Sequence, residues 1–122
     1  MFKPLLMSTA LLGATAVGMG ALGGHAMQSV LTDPQLQTWE TATRYLMWHV
    51  LAALALACLQ RAPQSVAWLW LLGGSLFAGS LYGWLLLQWR PLVFITPLGG
   101  VIMIAGWLWL FIQVGRGRCS HD

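Results

Sequence analysis

Val66–Gln88, VAWLWLLGGSLFAGSLYGWLLLQ, contains no Asp, Glu, Lys or Arg, and only Trp89-Arg90-Pro91 separates it from Leu92–Val114, LVFITPLGGVIMIAGWLWLFIQV. A hydrocarbon core of roughly 30 Å is crossed by about 20 helical residues at 1.5 Å rise. Each of these stretches is long enough, and the tight connection makes them antiparallel neighbours. Working outward, two more apolar runs complete the pattern, giving four spans at about residues 5–24, 43–60, 66–88 and 92–114. The expected fold is all-α: a four-helix transmembrane bundle, up-down and antiparallel, forming one integral membrane domain over residues 1–122.

Composition agrees with a chain made of little besides spans. Hydrophobic residues make up 58% and charged residues 7%, against about 25% charged in a soluble domain. The net charge of +3 is scattered as single arginines between apolar runs. No basic stripe forms, so nucleic acid is not an expected partner. Lys3 with Leu5–Val17 resembles the start of a signal peptide, but the run continues to Gly24 and leads into further spans, which makes it a retained first helix.

Small residues recur along the spans. Ala10, Ala14 and Gly18 form one row in the first span, and Ala16, Gly20 and Gly24 another; Ser75, Gly79 and Gly83 form a third. Such rows let helix backbones approach closely where lipid supplies no hydrophobic drive. His25 to about Thr41 reads as the longest polar connection, with Asp33-Pro34 opening a turn or short helix. Pro97, Gly99 and Gly100, near the start of the fourth span, are expected to kink or locally unwind it. Lys3, Arg61, Arg116 and Arg118 fall on one side and Arg44 and Arg90 on the other, which places both termini in the cytoplasm. Trp39, Trp84 and Trp89 would anchor one face, and Trp68, Trp70, Trp107 and Trp109 the other.

Several chemistries find no pattern here. Gly18-Met19-Gly20-Ala21-Leu22-Gly23 matches GxGxxG, but it ends a span instead of following a strand, so it reads as packing glycines. Cys58 and Cys119 have no motif spacing and read as unpaired thiols. Two span-end histidines and one carboxylate fall short of a transition-metal set. Ser29 and Ser75 have no His/Asp arrangement for nucleophilic catalysis. His121 reads as a solvated tail residue. No metal, cofactor or catalytic residue is expected.

The polar residues that could matter gather at one end. His25, Glu40, Arg44, Tyr45 and His49 form the candidate cluster, with Asp33 and Thr41 nearby. Glu40 and Arg44 are four apart and can pair on one helix face. His49 lies on roughly the opposite side of that helix from Glu40, about 7–8 Å deeper than Arg44. Ionisable residues within spans tend to mark function, whereas a carboxylate–arginine pair and a neutral histidine also serve as simple structural clasps. The clasp is the favoured alternative.

Four ordered motifs carry a resemblance. Gly20-Ala21-Leu22-Gly23-Gly24-His25 and Trp39-Glu40-Thr41-Ala42-Thr43-Arg44-Tyr45-Leu46-Met47-Trp48-His49 resemble the paired signature of the small YgdD-like inner-membrane proteins. Phe77-Ala78-Gly79-Ser80-Leu81-Tyr82 and Thr96-Pro97-Leu98-Gly99-Gly100 resemble that family's third- and fourth-span motifs. The resemblance covers roughly residues 8–110. It implies a four-span protein of the bacterial plasma membrane, in a family of unknown function with eukaryotic relatives and no agreed active site. Leu46 stands where the family often has glutamine, Trp39 where it often has phenylalanine, and Ala78 where it often has serine. The loss of a polar group at Leu46 weakens any relay along that helix.

Together these features favour a membrane component that works through protein or lipid contacts, as an accessory subunit or a homo-oligomer. A minor proton-coupled transporter or channel using the His/Glu/Arg cluster is the alternative. Expressed in bacteria, the chain should stay in the membrane pellet through alkaline extraction and leave it only with detergent. Recovery as a monodisperse species in plain buffer would overturn this assignment.

Overall fold

The computed structural model describes residues 2–119. His121 lies outside the described residues. Four α-helices follow one another: α1 (Phe2–Gly24), α2 (Asp33–Ala57), α3 (Gln64–Leu87) and α4 (Thr96–Gly115), with short 3-10 turns at Ala26–Ser29 and Arg90–Phe94. Three segments are long and apolar enough to cross a membrane: Lys3–Gly24, Gln64–Leu87 and Arg90–Gly115. The helix α2 is long enough but more polar, because its first half carries Asp33, Glu40 and Arg44.

The largest difference from the sequence expectation is where α2 begins. The stretch up to Thr41 is not a connection, since helix starts at Asp33. Thr32 caps it: the Thr32 Oγ1 accepts from the Gln35 N–H at 3.4 Å, and the Gln35 Oε1 accepts from the Thr32 N–H at 2.9 Å. Pro34 sits in the first turn, where its missing N–H costs nothing. The same logic applies to Pro97, the second residue of α4. The break expected inside the fourth span is therefore the start of the helix, and α4 runs on from there without interruption. The connection before it is longer than a tight turn: Gln88 takes a left-handed conformation at φ 54°, Trp89 is extended, and Arg90–Phe94 follows.

Contacts between consecutive helices run in opposite directions along the chain. Trp39 meets Gly23 and Met19, while Gly13 faces Val50. Thr43 meets Tyr82, and His49 meets Trp70. Ser80 meets Thr96, and Trp70 meets Gly106. Each successive pair is thus antiparallel. The centre of the arrangement is α3, which packs extensively on both α2 and α4 and lightly on α1, while α1 and α4 share no extensive interface among the described residues. The core consists of Trp39, Leu46, Val50, Val66, Trp70 and their neighbours. On α4 the buried residues are Gly99, Met103, Gly106 and Gln113, one narrow stripe, with apolar side chains exposed on the rest of the helix.

The closest approach joins α3 and α4. A Cβ on Gly99 would lie 2.5 Å from the Phe77 nitrogen and 2.7 Å from the Gly73 oxygen; one on Gly73 would lie 2.8 Å from the Gly99 oxygen. These are backbone atoms, which cannot swing aside as a flexible side chain would. Gly100 has nothing within 4 Å of its Cβ position. Replacing Gly99 with Ala should therefore destabilise the detergent-solubilised protein by about 1–3 kcal/mol. Gly100→Ala should be neutral or stabilise by up to about 1 kcal/mol through helix propensity. Thermal unfolding of the two variants side by side checks the contrast.

Candidate functional site

The expected cluster does not converge on one cavity. His25 is exposed on the connection after α1. Glu40 and Arg44 pair at 3.6 Å, but their side chains are 61% and 62% exposed. An ion pair that open contributes no more than about 1 kcal/mol. The Tyr45 ring lies against Trp48 and Phe77 and is partly exposed. His49 alone is buried, and it faces away from the ion pair.

His49 has partners that the sequence expectation did not include. Its Nδ1 lies 2.7 Å from the Tyr45 carbonyl, and its Nε2 accepts from the Trp107 Nε1–H at 3.0 Å. A carbonyl can only accept and an indole N–H can only donate, so this geometry requires a neutral imidazole with its proton on Nδ1. The Trp107 ring in turn packs on Trp70, with centroids 4.3 Å apart. Three helices meet at this point: α2 through His49, α3 through Trp70 and α4 through Trp107.

Trp70 makes a paired comparison with Trp39. Both are 1% exposed, and each indole lies over a glycine of a neighbouring helix, Trp39 over Gly23 and Trp70 over Gly106. The Trp39 Nε1–H donates to the Met19 carbonyl at 2.7 Å, which ties α1 to α2. The Trp70 Nε1–H is buried without a partner. Neither ring serves as the interfacial anchor the sequence suggested, because each is buried between helices.

Two hydroxyl pairs complete the cross-helix links. Thr43 donates to the Trp39 carbonyl at 3.0 Å, so the Tyr82 hydroxyl, 2.6 Å away, donates to Thr43. Ser80 donates to the Phe77 carbonyl at 2.9 Å, so the Thr96 hydroxyl, also 2.6 Å away, donates to Ser80. Each hydroxyl has one proton, and these assignments use it once.

The small-residue rows divide by face. In α1, Ala16 is buried and Gly20 faces Thr43, while Ala10, Ala14, Gly18 and Gly24 are exposed. In α3, Gly83 meets Leu92, Ser75 lines a groove beside α1, and Gly79 is exposed with nothing within 4 Å of its Cβ position. Gly23, Gly73, Gly99 and Gly106, which make close contacts, were absent from the expected rows, whereas Gly83 of those rows lies as close to Leu92. Among the described residues no group of three or more His, Cys, Asp or Glu could hold a metal ion. The thiols of Cys58 and Cys119 are free.

A family described as "Protein of unknown function (DUF423)" matches residues 19–100. The "UPF0382 membrane protein" of Staphylococcus saprophyticus is 40% identical over 114 residues, covering 90% of this chain and 95% of that protein. One from Schizosaccharomyces pombe is 38% identical over 112 residues, 84% of this chain and 94% of that protein. The Bacillus subtilis "UPF0382 membrane protein YwdK" is 37% identical over 103 residues, 80% of this chain and 84% of that protein. No solved structure matches the chain.

Removing one side of the His49–Trp107 bond should cost stability without unfolding the protein. In a double-mutant cycle with Trp107→Phe and His49→Leu, the coupling should be about 0.6 kcal/mol, with about 1.7 kcal/mol as an upper bound for membrane hydrogen bonds. Glu40→Ala should change stability by less than about 1 kcal/mol. Chemical unfolding in mild detergent, followed by tryptophan fluorescence, measures all three.

The chain belongs to the DUF423 family of membrane proteins.

Proposed function

We propose, from membership in that family, that this chain is a small multi-pass component of a bacterial inner membrane that acts through protein or lipid contacts and not by catalysis. All four helices cross, α2 included, and both termini face the cytoplasm. The positive residues near the helix ends support that orientation, since Lys3, Arg61, Arg116 and Arg118 share one side. The polar groups of α2 support its insertion: Thr43 and His49 turn to partners on α3 and α4, and Arg44 sits beside Glu40 near the helix end.

One observation carries the contact role. Its buried hydrogen-bonding side chains are largely occupied by one another, while the face of α3 between α1 and α4 stays open. That face presents Trp68, Leu72, Ser75 and Gly79 between two apolar grooves. A concave apolar face with small residues fits a neighbouring helix of a second copy or of a larger complex. The transporter alternative has less support, because His49 is committed at both nitrogens and Glu40 is paired on the outside.

Two measurements test this. Native mass spectrometry from lipid nanodiscs should show a dimer or a co-purifying partner, reduced several-fold by Gly79→Leu. A strictly lone monomer would overturn the association. Cys58 and Cys119 both lie at the proposed cytoplasmic end, so a membrane-impermeant maleimide should label inverted vesicles and leave intact spheroplasts unlabelled. The reverse result would invert the topology.

A further inference from the structure

The cleft between α2 and α4 holds two unlike regions side by side. One is an apolar slot of about 300 Å3, walled by Leu56 of α2, by Leu59 just beyond the end of that helix and by Leu110 of α4, with Trp107 and Trp70 also lining it. The other is a polar recess of about 460 Å3, lined by Gln60, Arg61, Gln113 and Arg118. Gln60 follows Leu59 directly, and Gln113 lies one turn beyond Leu110, so the recess adjoins the slot along both segments.

The chain builds the recess deliberately. The helix α4 ends in a Schellman turn: Gly117 is left-handed at φ 69°, its N–H bonds to the Val114 carbonyl at 3.0 Å, and the Arg118 N–H bonds to the Gln113 carbonyl at 2.9 Å. This turn folds Arg118 back over Gln113, towards Arg61 on the α2–α3 connection. Among the described residues the one ion pair is Glu40–Arg44, and neither Arg61 nor Arg118 meets a carboxylate of a described residue. Gln113 is 7% exposed, and its Oε1 accepts no hydrogen bond.

We infer that this cleft binds one anionic glycerophospholipid, with its phosphate on Arg61 and Arg118 and an acyl chain in the slot towards Trp107. Guanidinium forks match phosphate oxygens in pairs, and the free Gln113 oxygen suits a headgroup hydroxyl. From Trp107 to Gln113 the slot spans about 9 Å of helix, room for the upper part of a chain. A free inorganic anion would use the recess and leave the slot empty. The inference rests on the membrane placement proposed above and adds a ligand to it.

The test is native mass spectrometry of detergent-extracted protein after exchange into nanodiscs of mixed phosphatidylglycerol and phosphatidylcholine. The wild type should retain phosphatidylglycerol at least about tenfold over phosphatidylcholine. The double variant Arg61→Ala/Arg118→Ala should lose that preference, and Arg44→Ala/Arg90→Ala, at the opposite end, should keep it. Leu56→Trp fills the slot with both arginines intact and should also release the lipid, which keeps the test decisive if the arginine variant folds poorly. Millimolar inorganic phosphate should not displace the lipid. No enrichment in the wild type, retention in Leu56→Trp, equal loss in the Arg44/Arg90 control, or displacement by phosphate would each overturn the site. Recovery of the chain in the soluble fraction would instead overturn the membrane placement, so the two failures are distinct.

Discussion

Hydrocarbon offers a polar group no partner, and that constraint organises the interior. An unpaired buried donor or acceptor costs free energy that water would otherwise supply. Each helix interface accordingly carries its own bond: Trp39 to the Met19 carbonyl between α1 and α2, Tyr82 to Thr43 between α2 and α3, and Thr96 to Ser80 between α3 and α4. Trp107 to His49 then spans α2 and α4, which otherwise meet little. These bonds fix register, because apolar side chains alone would tolerate sliding. Glycines set how close the backbones come, above all at Gly73 and Gly99.

Of the two exceptions among the described residues, Trp70 and Gln113, the first is instructive. The Trp70 indole N–H is buried without an acceptor, although its ring sits over Gly106 much as Trp39 sits over Gly23. Trp70 compensates through its area: it is almost wholly buried and packs against both Trp107 and His49. Aromatic contacts of that kind offset part of the desolvation cost. The three rings therefore act as one unit, and the imidazole is held in a single tautomer within it.

The existence of the helices was legible from hydropathy, and their ends mostly so. The opening at Asp33-Pro34 was legible and is where α2 starts, but its continuity into the second span was not, because polarity through Glu40 and Arg44 masked it. Pro97 was visible as a disruption, but whether a proline breaks a helix or opens one depends on where the preceding turn ends. Spacing identified small-residue rows without telling which face meets a neighbour, so Gly83 meets Leu92 and Gly18 and Gly79 are exposed, while Gly23, Gly73, Gly99 and Gly106, outside the rows, make close contacts. For the polar residues, the pair at Glu40 and Arg44 follows from a local four-residue rule, and it formed. The bond from His49 to Trp107 joins residues 58 apart in sequence, and no local pattern encodes it.

The centrality of α3 has a consequence for biogenesis. The largest interfaces join consecutive helices, α2 with α3 and α3 with α4, and that of α1 with α2 follows. A nascent chain emerging from its N-terminus can therefore bury most of each helix once the next one follows, while His49 waits for Trp107 on the last helix. Hairpin closes on hairpin in the order of translation, and the last segment docks on a platform that already exists. The last helix to arrive also completes the hydrogen bonding of the second, through Trp107 and His49.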